Sequence, residues 1–124
     1  MSLLPRDTNP HGTIFGGVIL SYLDQAGAIE AYRHGAHRVV TVAMDKVVFH
    51  APVYVGDLVS FYGALVRTGT TSITVRVDVE ASRASAGGPA RQVTEAVITY
   101  VNVDETGAPT PIVPPRPPHD VSRA

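Results

Sequence analysis

Nineteen of the 124 residues are Val, and sixteen of those lie between Val39 and Val103 in four runs separated by turn residues. A β-branched side chain loses rotamer freedom in a helix and packs well on a pleated surface, so the middle of the chain specifies sheet. Six Leu and no Trp leave a helical bundle short of core material. The first run, Arg38 to His50, is stopped by Pro52 and the turn Val55-Gly56-Asp57. Leu58 to Arg67 is the second, ending at Gly69. In the third, Ser72 to Ala81, Ile73, Val75, Val77 and Val79 share one face and Thr74, Arg76, Asp78 and Glu80 the other, so one face is buried and one wet. After a connection at Ser82 to Ala90, the last run, Arg91 to Asp104, is apolar on both faces near Val97-Ile98, which places it inside the sheet.

Ahead of the strands, Gly16 to His34 reads as one long helix, nearly apolar all round, with Gly35 as its stop and Arg33 and His34 at the negative end of its dipole. Its length is close to that of a ten-residue strand, so it can lie lengthwise against a sheet that curls around it. The class is therefore α+β, with one core, as the chain length allows. Six of the ten residues from Pro109 to Pro118 are Pro, which marks 109–124 as a polyproline-like, poorly packed tail behind a single domain of residues 1–108.

Composition removes several functions. There is no Cys, so thiol nucleophiles, disulfides and thiolate metal sites are excluded, and any nucleophile is oxygen or water. Ten basic residues against eleven acidic ones give a formal charge of −1, which supplies no field for nucleic acid or anionic lipid. No apolar run reaches the roughly 18 residues of a membrane span, and Met1 to Arg6 lacks the apolar stretch of a signal peptide. The expectation is a soluble, cytoplasmic protein. Five scattered His show no metal-binding spacing, and GxSxG, Walker and GxGxxG patterns are absent.

One helix residue is out of character. Asp24 lies one turn from Leu20 and from Ala28 and three residues before Gly27, so its carboxylate falls among small and apolar neighbours, where an ionised group is costly. It either reaches solvent or an Arg at an edge, or does chemistry; Glu30 reads as a surface or interface charge. Upstream, Asp7 to Gly17 is a polar, Gly-rich loop feeding the helix start, where the N–H groups around Gly16 and Gly17 are free to hold an oxyanion. Thr68-Gly69-Thr70-Thr71-Ser72 is either an ordinary hairpin turn or a cradle for amide or phosphate groups. Arg67, Arg83 and Arg91 stand near strand ends, where guanidinium forks serve phosphates or solubility equally well.

The ordered segments Asp7-Thr8-Asn9, Gly12 to Gly17, Leu23 to Ala28, Val39 to Val42, Pro52 to Asp57, Gly69 to Ser72, Thr94-Glu95-Ala96 and Tyr100-Val101 resemble the hotdog-fold acyl-CoA hydrolases of the bacterial YciA and mammalian cytosolic type. The resemblance covers about residues 7–104. It implies a helix wrapped by a curved five-stranded antiparallel sheet, pairing into a homodimer that assembles further to a tetramer or hexamer, with active sites between subunits. It implies acyl-CoA as substrate, no metal and no required cofactor, since coenzyme A is part of the substrate. Asp24 then matches the catalytic helix carboxylate, acting as general base or nucleophile, with Gly16 and Gly17 polarising the thioester and Asn9 and Thr13 completing the catalytic set. Thr13 stands where relatives carry Asn or Asp. Gly69, Thr70, Thr71 and Ser72 match the loop that meets coenzyme A, Arg91 matches a basic position before the last strand, and Arg67 or Arg83 stands in for a Lys that is Thr68 here. The short N-terminus leaves only Ser2 to Arg6 where relatives have a longer first strand. A non-catalytic acyl-CoA binding or sensing module is the alternative, and it needs no chemistry from Asp24.

Overall fold

In the computed structural model, which describes residues 13–14, 16–83 and 89–113, the Val-rich stretch forms four antiparallel strands. They are β1 (Val39–Phe49), β2 (Asp57–Thr68), β3 (Ser72–Arg83) and β4 (Arg91–Asn102), in the order β1-β4-β3-β2. The strand that is apolar on both faces, β4, lies inside the sheet, as its composition requires. Ahead of them runs the helix α1 (Gly16–Arg33). It stops at Gly35, whose φ of 108° is open to a residue without Cβ, and the Ala36 amide reaches back to the Ala31 carbonyl at 3.3 Å to close the helix end.

Alternation on β3 sets the core. Ile73, Val75, Val77 and Val79 are wholly buried and stand opposite Tyr100, Ile98, Ala96 and Thr94 of β4, and this shared face packs under Leu23 and Ile19 of α1. Each such aliphatic side chain contributes roughly 1.5–3 kcal/mol through burial. The other face is polar, with the Arg76 guanidinium forked onto Asp78 and also paired with Glu95, which in turn bonds His50 at 2.7 Å. Thr74 departs from the expected wet face: it is buried, and its hydroxyl meets that of Thr99 at 3.2 Å.

Among the described residues there are four of the five expected strands. Thr13 forms an antiparallel bridge with Tyr54, and the Ile14 amide donates to the Val53 carbonyl at 2.8 Å. The segment before Thr13, where the first strand falls in the sequence reading, lies outside the described residues, as do the connection at 84–88 and the tail from 114 onward. Glu30, expected as a surface or interface charge, does not lie on the surface. It is buried because α1 crosses β2 at Gly63, where an added Cβ would sit 2.9 Å from that of Glu30, and its carboxylate emerges to meet His34 at 2.9 Å.

The tail also differs from the sequence reading over its first residues. Asn102, with no exposed surface, accepts the amides of His37 (3.1 Å) and Arg38 (3.3 Å) and donates to the carbonyls of Thr110 and Pro111, both at 3.3 Å. Ile112 then donates its amide to Thr70 at 2.9 Å and packs against the core, so residues 109–113 are pinned although rich in Pro. Proline restricts the chain without preventing its other amides and carbonyls from pairing. Replacing Asn102 with Ala removes all four bonds and should destabilise the fold by about 2 kcal/mol, read as a shifted denaturant midpoint. An unchanged midpoint would show that the pin contributes nothing.

Candidate active site

Asp24 sits half-buried in the middle of α1, on the side turned to β1. The reason is register. Thr41 of β1 and Tyr100 of β4 stand opposite one another and both face the helix above. The Thr41 hydroxyl donates to Asp24 Oδ1 at 2.8 Å, and the Tyr100 hydroxyl donates to the Asp24 main-chain carbonyl at 2.7 Å. Two neighbouring strands therefore hold one helix residue by its side chain and by its backbone. Burial, and then the negative charge of Asp24, push the Tyr100 phenol far above its ordinary range, so it remains a donor at any working pH.

Gly16 and Gly17 begin the helix, and their bareness serves different ends. A Cβ on Gly16 would lie 3.0 Å from Cζ of Phe49, so that glycine admits the ring, whereas nothing stands within 4 Å of a Cβ placed on Gly17. Of the two, only Gly16 is therefore held bare by a close neighbour. Beside them is a cavity of about 380 Å³ whose wall includes Ile14, Gly16, Ile19, Phe49 and Val53. Asp24 is not on that wall. Eight residues of helix separate it from Gly16, or roughly 12 Å at the α-helical rise.

The hairpin Gly69–Ser72 lies next to the row formed by Thr41, Tyr100 and Ile73, at the Asp24 end of the sheet. Its turn is tied internally, with the Gly69 amide on the Ser72 carbonyl at 2.8 Å, and externally, with the Thr71 carbonyl accepting Asn102 and the Thr70 carbonyl accepting Ile112. Arg67 is exposed beside it. Arg83 and Arg91 are not beside that hairpin. Both stand at the far end of β3 and β4, about 33 Å from Ile73 along the strand for Arg83 and about 26 Å for Arg91, which pairs with Ala81. There the fully buried Asp57 engages both guanidiniums: Arg91 donates to Asp57 Oδ2 at 2.9 Å and to the Pro52 carbonyl at 3.0 Å, while Arg83 Nε lies 3.4 Å from Oδ1 and its guanidinium stacks 4.4 Å above the Tyr54 ring. Within one chain the expected coenzyme-binding set is thus split between the two ends of the sheet. Thr13 is half-buried in its bridge to Tyr54, and Asn9 lies outside the described residues.

Thr41 escaped the sequence reading. A lone hydroxyl in a run of Val looks like an ordinary strand residue, and its meaning appears only through its register with Tyr100. Among the described residues no three His, Asp or Glu side chains gather as metal ligands, and no helix is long and apolar enough to cross a membrane.

Residues 11–84 match the Thioesterase superfamily. The chain is 41% identical over 111 residues to the acyl-CoA thioester hydrolase YciA of Salmonella typhimurium, covering 88% of this chain and 84% of that protein. The hexameric hotdog fold thioesterase Cj0915 of Campylobacter jejuni superposes with a TM-score of 0.85 at 46% identity, covering 99% of this chain and 90% of the other. HI0827, a hexameric broad specificity acyl-coenzyme A thioesterase solved there as an aspartate-to-alanine mutant, superposes with a TM-score of 0.87 at 39% identity, covering 95% and 85%. These similarities extend along nearly the whole chain.

Proposed function

The chain belongs to the thioesterase superfamily, among its YciA-type acyl-CoA thioester hydrolases, and on that premise we propose that it hydrolyses acyl-CoA to the free acid and coenzyme A through the Asp24 carboxylate. The observation that carries this reading is the bond from Thr41 to Asp24 Oδ1, which fixes one carboxylate oxygen and leaves the other to the seam beside β1. As a base, that oxygen takes a proton from water while the water oxygen attacks the thioester carbonyl. The resulting oxyanion is held by the helix-start amide near Gly17, and collapse expels the thiolate, which recovers the proton. As a nucleophile, Asp24 instead displaces the thiolate to form an anhydride that water then opens. A thioester is already activated, so neither route calls for a metal or a further cofactor.

Geometry argues for a site shared by two copies. A carbonyl must lie about 3 Å from both its oxyanion donor and its attacking group, and roughly 12 Å separates Gly16 from Asp24 in one helix. Antiparallel pairing of two β1 edges brings the Phe49 end of one protomer to the Thr41 end of its partner, which sets Gly17 of one copy against Asp24 of the other. Val40 and Val42, 49% and 56% exposed on β1, supply the apolar edge for that dimer. Assembly to a hexamer accords with the hexameric relatives. Gly69 to Ser72 and Arg67 then meet the coenzyme A end of the substrate, and the enzyme works in the cytoplasm.

Purified protein given a panel of acyl-CoAs and a thiol reagent should release free coenzyme A; tight binding without release would favour the sensing alternative. Thr41→Val should lower kcat by tenfold or more with KM little changed, because it removes a charge-assisted bond of about 1.5–3 kcal/mol from the reacting group. An unaffected kcat would remove Thr41 from the site.

A further inference from the structure

Gly27 is buried in α1 one turn beyond Asp24, and a Cβ at this position would overlap the Tyr100 hydroxyl. The next nearest atoms, Ile98 Cδ1 and Tyr100 Cζ, would both be at 3.2 Å. The helix thus carries a notch into which one buried phenol fits, and the atom it reaches is the main-chain carbonyl of Asp24 at 2.7 Å. In an α-helix that carbonyl already accepts the amide four residues on, so the phenol is a second donor to it. Such a bond is not needed to complete the helix. It ties the height and rotation of α1 at residue 24 to β4, while Thr41 in the facing position of β1 ties the carboxylate.

We propose that Tyr100 is a positioning residue for the thioesterase reaction, and that Gly27 exists as the notch that lets its hydroxyl hold the Asp24 backbone. The inference rests on the reading of Asp24 as the reacting group. A carboxylate that attacks or deprotonates works only within a few tenths of an ångström of its target, and misplacement by 1 Å costs about a hundredfold in rate. With the phenol bond gone, α1 is free to shift on the sheet, and the bond from Thr41 alone cannot fix both carboxylate oxygens. Tyr100 is almost wholly buried, and its hydroxyl reaches the Asp24 main-chain carbonyl. Its raised pKa keeps the proton in place, so the tie does not switch with pH.

The test uses the full-length protein with an acyl-CoA that the wild type turns over. Tyr100→Phe keeps the ring and the core and should lower kcat about tenfold, with KM within about twofold of wild type. In an Asp24→Asn background the same change should have no further effect on the residual rate, since a residue acting through Asp24 has nothing left to position. A kcat for Tyr100→Phe within twofold of wild type, in protein whose Asp24→Asn form is inactive, overturns the positioning role while leaving the reading of Asp24 intact. A tenfold loss that persists in the Asp24→Asn background overturns it too, because Tyr100 would then act elsewhere. An Asp24→Asn enzyme at full rate sinks the reading of Asp24 and the proposal with it. The notch is checked separately by thermal melting: Gly27→Ala should cost more in the wild type than in Tyr100→Phe, where the clashing hydroxyl is gone. Equal costs in both backgrounds would deny Gly27 its part.

Discussion

Asp24→Asn should lower kcat for acyl-CoA hydrolysis by a factor of about 10²–10⁴, the range expected when a positioned acid-base group is removed. Asparagine matches the carboxylate in shape and keeps a carbonyl oxygen for the Thr41 hydroxyl, so the helix and its ties to β1 and β4 persist. The variant should therefore melt within a degree or two of the wild type and bind coenzyme A as tightly, which separates loss of chemistry from loss of structure. Steady-state release of coenzyme A measures the first and calorimetric binding the second. A variant with wild-type kcat would mean that the thioester is opened elsewhere. The same residue also divides the two routes. In a single turnover in heavy-oxygen water, label found in the Asp24 carboxylate establishes a nucleophile whose anhydride water opened at the aspartyl carbonyl, because a base leaves the label in the product acid alone.

Why Asp24 stands out in the sequence as a candidate and Thr41 does not is a matter of range. An acidic residue among small and apolar neighbours on a helix violates local energetics, so it stands out without any knowledge of the fold. Thr41 violates nothing locally, and its partner lies seventeen residues away in sequence. The strands and the helix were legible for the same local reasons: β3 alternates cleanly, β4 is apolar on both faces, and Gly35 ends α1 with the positive φ that only glycine takes easily. Glu30 was misread because its burial depends on a glycine in another element, Gly63, that lets the helix approach. The Pro-rich segment at 109–113 was misread because its anchor, Asn102, sits at the end of a strand and gives no sign in sequence of what it reaches. Arg83 and Arg91 illustrate the same limit. A guanidinium near a strand end offers the same fork to a ligand phosphate or to a carboxylate of the chain itself, and only the fold showed that Asp57 occupies both.

That carboxylate is the site of the largest expected stability effect. Asp57 has no exposed surface; its Oδ2 accepts both the Arg91 guanidinium (2.9 Å) and the Tyr54 amide (3.0 Å), and its Oδ1 faces Arg83 without a hydrogen bond of its own. Asp57→Ala removes the one negative charge from a cluster of two cations and strands the Tyr54 amide. Breaking a buried pair costs about 3–5 kcal/mol, and the outcome here belongs near the lower end because Arg83 and Arg91, 53% and 33% exposed, can partly rehydrate. For a domain of this size a loss of about 3 kcal/mol lowers Tm by roughly 10–15 °C. Asp57→Asn, which still accepts the amide, should cost less than half as much. The activity of the surviving folded protein sharpens the test. Asp57 engages Tyr54, Arg83 and Arg91 and none of the groups that hold Asp24, so below the melting temperature kcat should stay within a few fold. The wall of the cavity beside Gly16, in contrast, includes Pro52, whose carbonyl Arg91 holds at 3.0 Å, so a looser wall should appear as a raised KM. A Tm within 2 °C of wild type for Asp57→Ala would show that the two guanidiniums carry no structural load, and would return Arg83 and Arg91 to the pool of residues free to meet a phosphate.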